Sequence, residues 1–400
     1  VLDWVRNRIL SFEVLGQRDG RWLLDRVCPT EGAAVARARE MLGDTRWTAA
    51  KVVQSRSMLN GFTTQRVVFE ETAPPAAERP PAVRSPRGEV AVCASIDDFF
   101  GPDSRRLIAL TLMEYLTRQQ VTPTELLHAW SHVRRLQESS ALLMAAIHRV
   151  GTAQAKTTGE ATRERVNVLN RLVDEAVSRA RDFTLERKRL PAFHGHDLDA
   201  FAVRLRGLVD PARFDYVLRA QVSAWLADQR SLAGRLEVVL DLAGSAADPE
   251  SLHLIDGLVA DLLSFGEVVQ DLFGALPSLG HFLADLADLL NARPDGAART
   301  RDPRLGRIAA LLDAGTLPET REVLLARLLK EMAADRPLDK LNAADEPGLL
   351  AMVVRRLQRD DGTILGGEAA EKAIAAREVR YRQGLLRAAG LHGIAENLKP

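Results

Sequence analysis

The chain has 400 residues, and its 54 basic side chains are balanced by 54 acidic ones, so the formal net charge is zero. Neutrality speaks against a nucleic-acid partner, which a binder usually meets with a basic excess that displaces counterions from phosphate. No apolar run approaches the length of a membrane-spanning helix. With 46% hydrophobic and 27% charged residues, the chain reads as globular protein of about two or three domains.

Two cysteines, Cys28 and Cys93, stand far apart and outside any CxxC pair. That spacing excludes a zinc ribbon and a thioredoxin motif, and the expectation is two reduced thiols. Val1-Leu2-Asp3-Trp4-Val5-Arg6 carries an early Asp and no signal-peptide run. Residue 1 is not Met, which leaves room for a removed leader; the expected compartment is the cytoplasm. Arginine outnumbers lysine 47 to 7, as the codon bias of a GC-rich bacterial genome would produce.

In chain order, Ile9–Gln17 and Arg21–Val27 form two extended segments turned at Arg18-Asp19-Gly20. Pro29-Thr30-Glu31 opens a helix to Leu42 whose apolar face holds Ala34, Val35, Ala38, Met41 and Leu42. Trp47–Ser55 and Phe62–Glu70 are a second strand pair joined across Leu59-Asn60-Gly61, a strong hairpin signal. The order ββαββ predicts an α+β module over residues 1–72 with an antiparallel sheet covered on one face. Five prolines between Pro74 and Pro86 predict an extended spacer over residues 73–94.

Beyond residue 95 helical patterns dominate, predicting a large all-α helical-bundle domain over 95–400, with divisions near 190–196 and 292–302. Asp103–Gln119 is apolar on one side. Thr122-Pro123-Thr124-Glu125 combines an N-cap Thr, Pro at N1 and Glu at N3, a complete start signal. The helix behind it is expected to run to Val150, with Gly151–Gly159 as a break. From Arg163 to Phe183, the residues Val166, Leu169, Val173, Ala176, Ala180 and Phe183 alternate spacings of three and four. They form a seam for helix packing or a partner. Further helices are expected at 197–209, 211–230, 232–243, 249–273, 278–291, 303–313, 318–333, 346–359 and 367–389.

Charge is locally uneven. Residues 241–290 hold nine carboxylates and no Lys or Arg, which suits either a solvated face or an acidic groove for a basic helix. Phosphate-binding and nucleophile-elbow motifs are missing from the sequence. The glycine-rich turn Asp361–Glu368 lies ahead of a helix and lacks the lysine of a nucleotide loop. His128 and His132, four apart, would share one helix face. Phe193-His194-Gly195-His196-Asp197 is the densest polar cluster.

The adjacent His196-Asp197 pair, with His148 on an upstream helix, resembles the HD phosphohydrolase superfamily. The resemblance implies a divalent metal held by His148, His196 and Asp197, and hydrolysis of phosphate esters. Leu198-Asp199 follows the pair where that family has apolar residues and glycine. The competing reading makes Asp197 the cap of the next helix.

With no catalytic template filled, the leading expectation is a non-enzymatic protein-interaction, scaffold or regulatory protein of a bacterial cytoplasm. It needs no cofactor or metal, and its partner is another protein or a second copy. The metal-dependent phosphohydrolase is the alternative. A third class, a small-ligand sensor, requires a cavity within the helical bundle.

Overall fold

The structure, a computed structural model, describes residues 10–18, 21–42, 47–57, 63–72, 80–86, 88, 90–228, 231–293 and 302–398. It divides into two compact units, Val1–Pro80 and Pro81–Pro400. The first holds a four-stranded antiparallel sheet with one helix, and the second is helical. The turns expected at Asp19-Gly20, Gly43-Asp44 and Leu59-Asn60-Gly61 lie outside the described residues.

In the first unit β1 (Leu10–Arg18), β2 (Arg21–Cys28), α1 (Glu31–Leu42), β3 (Ala49–Ser57) and β4 (Thr63–Thr72) follow in order. The strands pair as β2-β1-β3-β4. Alternation sends Phe12, Val14, Ala50 and Val52 to one face, where Ala34, Ala38 and Met41 of α1 cover them. A bulge in β2 leaves Asp25 outside the register, and its carboxylate accepts from Nε and Nη2 of Arg37 on α1 at 2.9 and 3.1 Å.

The second unit begins with an extended segment along the helices. Ala82 N donates to a Glu114 carboxylate oxygen at 2.9 Å, Arg84 N to the Thr111 carbonyl at 3.0 Å, and Gln154 Nε2 to the Ala91 carbonyl at 2.7 Å. Ala82, Arg84 and Ala91, in the distal part of the expected spacer, are therefore anchored within this unit.

The first seven helices of the unit are α2 (Ile96–Phe100), α3 (Pro102–Gln119), α4 (Pro123–His128), α5 (Trp130–Glu138), α6 (Ser140–Thr158), α7 (Thr162–Glu186) and α8 (Leu198–Arg206). Then come α9 (Phe214–Leu226), α10 (Leu232–Ala243), α11 (Pro249–Leu263), α12 (Gly266–Phe273) and α13 (Leu279–Leu290). The last are α14 (Pro303–Asp313), α15 (Pro318–Ala333), α16 (Glu346–Leu357), α17 (Gly367–Ala388) and α18 (His392–Asn397). One core runs through most of them and across residues 190–196, where Phe183, Phe193, Leu198 and Phe201 share it, and Cys93, Ile147, Leu169 and Leu172 form a second, smaller cluster.

The expected helix from Thr122 to Val150 is instead three. The Thr122 capping box forms as read. All six residues of α4 are buried, however, and the chain turns at extended Ala129 to resume as α5, with Ser131, Arg134 and Arg135 exposed. A helix buried on every side cannot continue onto the surface without changing direction. Gly151 does not end α6 but lies inside it, because Val166 of α7 approaches so closely that a Cβ would stand 2.6 Å from its Cγ2. The helix ends at Gly159, in the left-handed region at φ 75°. Residues 249–273 are likewise two helices, parted where Phe265 turns wholly into the core.

Candidate functional site

The residues picked out by sequence as catalytic do not converge. His148 is exposed on α6. His196 and Asp197 line a shallow depression with His194 and Arg204, and His148 is not part of it. Among the described residues no group of three or more His, Cys, Asp and Glu is placed to hold a metal. Asp197 sits at φ 48° and accepts from Ala200 N at 3.0 Å, which makes it the N-cap of α8. In the glycine-rich turn the Asp361 carboxylate itself accepts from Thr363 N and Oγ1, at 2.9 and 2.6 Å.

His128 and His132 fall on either side of the turn at Ala129 and so share no helix. His128 is buried between Phe100 and Tyr216, with ring centroids 5.2 and 4.9 Å away, and its Nδ1 lies 2.7 Å from the Thr124 carbonyl. Burial pushes its pKa down to about 3, and burial next to Arg135 takes His132 to about 4. Both rings are neutral at pH 7.

Of the acidic stretch, Asp256, Asp261, Asp285 and Asp288 are buried. Asp256 accepts from the backbone N–H groups of Glu319 and Thr320 at 2.7 and 2.9 Å, holding the first turn of α15. Asp261 does the same for α4, accepting from Thr124 N at 2.8 Å and Oγ1 at 2.6 Å. Between these carboxylates runs Arg105, 1% exposed. It donates Nη2 to both Glu319 oxygens at 2.6 Å and Nε to Asp261 at 3.4 Å. Glu125 accepts from Arg235 at 2.9 Å. Burial pushes the Glu319 and Glu125 carboxyls up, while the guanidiniums of Arg105 and Arg235 pull against it. These groups pair with one another, so their chemistry is spent on tying α3, α4, α10, α11 and α15 together.

The seam of α7 is used inside the unit. Leu169, Ala176, Ala180 and Phe183 are buried, Val166 packs on Gly151, and Val173 is half-buried. Part of this face does not close on its neighbours. Leu169, Val173 and Ala176 form one wall of a cavity of about 120 Å³ whose other walls come from Cys93, from Phe99 of α2, and from α3, α4, α5 and α6.

The cavity lies where the surrounding helices depart from regular geometry. Helix α3 is kinked at Leu112, with φ −107° and ψ 15°, and α4, α5 and α6 are separated by single non-helical residues. Such breaks disturb the ridges that would otherwise interlock. Leu112, Leu126, Leu136, Ala146 and Ile147 are buried in its depth, whereas Leu107, Ile108, Val133 and Leu143 are half-buried at its mouth. No charged side chain lines it.

Its polar lining is sparse and mostly occupied. Ser104 Oγ donates to the Asp98 carbonyl at 2.7 Å, and the Cys93 thiol, whose pKa burial pushes up, donates to the Ser95 carbonyl at 3.6 Å. Gln154 donates to Ala91 and accepts from Arg165 Nε at 3.0 Å, and Arg165 also donates to the Cys93 carbonyl. Gln137 also lines the pocket and is half-buried, and Thr111, 1% exposed, has its Oγ1 buried without a hydrogen-bond partner. Sequence reasoning passed over Thr111. Its one signal was a hydroxyl among apolar side chains on the inward face of α3.

No helix among the described residues is long and apolar enough to cross a membrane. Compared with protein families, curated proteins and solved structures, the chain matches none.

Proposed function

We propose that the chain is a non-enzymatic regulatory protein of a bacterial cytoplasm whose helical unit binds a small molecule in the cavity between α3 and α7. The cavity carries this reading. A half-open apolar pocket in a well-packed helical core is where a bundle takes up a ligand, and an apolar void of this size stays dry until something fills it. Cys93, in the extended segment ahead of α2, lines the same pocket. The effector is another protein or a second copy, a role supported by Leu385 on α17, Leu391 just ahead of α18 and Ile394 on α18, which stand about half exposed.

The test is thermal unfolding of the full chain against small apolar compounds, beside Ala176→Leu, which fills the pocket. A concentration-dependent rise in Tm that the variant abolishes is the expected result. No shift with any compound, or a shift unchanged in the variant, overturns the reading. Stoichiometric metal in the purified protein, lost on His196→Ala, would replace it with the phosphohydrolase.

A further inference from the structure

We infer that the ligand of this cavity is a small hydrocarbon-like molecule that carries neither a charge nor a hydrogen-bonding group. The inference rests on the reading of the cavity as a binding site and adds the chemistry of what enters it.

The wall decides the polarity of the occupant. Leu112, Leu126, Leu136, Ala146, Ile147 and Leu169 surround its depth, and the surface turned to the cavity is carbon almost throughout. The polar residues of the lining keep their heteroatoms elsewhere. Ser104 Oγ and the Cys93 thiol are turned to the carbonyls of Asp98 and Ser95. The amide of Gln154 is held at both ends, by the Ala91 carbonyl and by Arg165. Oγ1 of Thr111 is buried out of reach of the cavity, and Gln137, half-buried on α5, adds almost no polar surface to the wall.

A hydroxyl, carbonyl or ring nitrogen on a ligand would therefore leave water and meet no partner. That loss is about as large as the gain from burying two or three methylenes. An ion fares worse, because no charged side chain lines the cavity and an unpaired buried charge costs more still. Carbon gains at every point, since it supplies the van der Waals partners that walls on either side of a gap lack.

Volume sets the scale. About 120 Å³ is somewhat less than the roughly 150 Å³ of an engineered apolar void that stays dry and admits benzene. The cavity opens past half-buried Leu107, Ile108, Val133 and Leu143, so a carbon ring of roughly six atoms fits with one edge toward the mouth.

Benzene and pyridine are the probes, alike in size and shape and different in one ring atom. Each is titrated calorimetrically, in alkaline buffer where pyridine is uncharged, into the full-length protein and into two variants that fill the pocket. These are Ala176→Leu and, on the half-buried part of the same wall, Val173→Phe, both checked for native far-UV circular dichroism. The expected outcome is benzene binding to the wild type, pyridine weaker by about fivefold or more, and neither compound binding the variants. Pyridine affinity within about fivefold of benzene overturns the inference while leaving the cavity reading standing. Failure of both compounds to bind the wild type, or benzene binding that survives in both filled variants, sinks the cavity reading itself.

Discussion

The guanidiniums of Arg105 and Arg219 meet at Gly257, and the side chain that glycine lacks is the space they occupy. A Cβ there would stand 2.8 Å from Nη2 of Arg105 and 3.1 Å from Nη1 of Arg219. Long side chains usually yield to such a contact, but these two are 1% and 2% exposed and ion-paired to Glu319 and Asp215. Replacing a mid-helix glycine with alanine ordinarily stabilises by roughly 0.5–1 kcal/mol. Gly257→Ala is expected to do the reverse, lowering stability by about 2 kcal/mol through overpacking. Urea denaturation of the full chain checks the sign.

Arg105→Met should cost more. It leaves Glu319 and Asp261 buried without their shared cation, a loss on the order of 3–5 kcal/mol. Because the groups act together, adding Glu319→Gln should recover part of that loss rather than deepen it. A double-mutant cycle in chemical denaturation measures the recovery.

Acid should weaken the protein before its carboxylates titrate. His128 and His132 have folded-state pKa values of about 3 and about 4, against an ordinary 6.5. Between those limits the unfolded chain holds protons that the folded one refuses, so the stabilisation is complete above pH 6.5 and is lost as pH falls. Around His128, Arg219 and Arg105 reinforce the shift and Asp215 opposes it, with burial the largest cause. His128→Phe keeps an aromatic ring beside Phe100 and Tyr216, and should flatten the decline between pH 6.5 and 4 by up to about 1.4 kcal/mol per pH unit. Tm measured across that range is the readout.

The cavity makes two opposite predictions for stability. Thr111→Val removes a buried hydroxyl that has no partner and should stabilise the ligand-free protein by about 1 kcal/mol. Ile147→Ala enlarges the same void and should cost about 2–4 kcal/mol. Both are read from denaturation midpoints.

What could be read in advance depended on how local its cause was. Thr122-Pro123-Thr124-Glu125 announces its helix start because every group in that cap lies within four residues. The strand–helix order of the first module is as expected because alternation and apolar spacing are local too. The turn at Ala129 carries no glycine or proline, and the one at Phe265 only Gly266 behind it; both arise where side chains go inward from all directions. The α7 seam was legible as apolar. That Leu169 and Ala176 would face a gap depends on the kink in α3 and on the breaks at Ala129 and Ser139.

Arg105 also sets a schedule for folding. Its carboxylate partners stand 156 and 214 residues further along the chain. While the protein is being synthesised, the cation on α3 lacks its full set of carboxylates until residue 319 has left the ribosome. Closure of the helical unit is thus a late, long-range event, slow by topology, and the nascent α3–α9 region stays the part most open to aggregation until it happens.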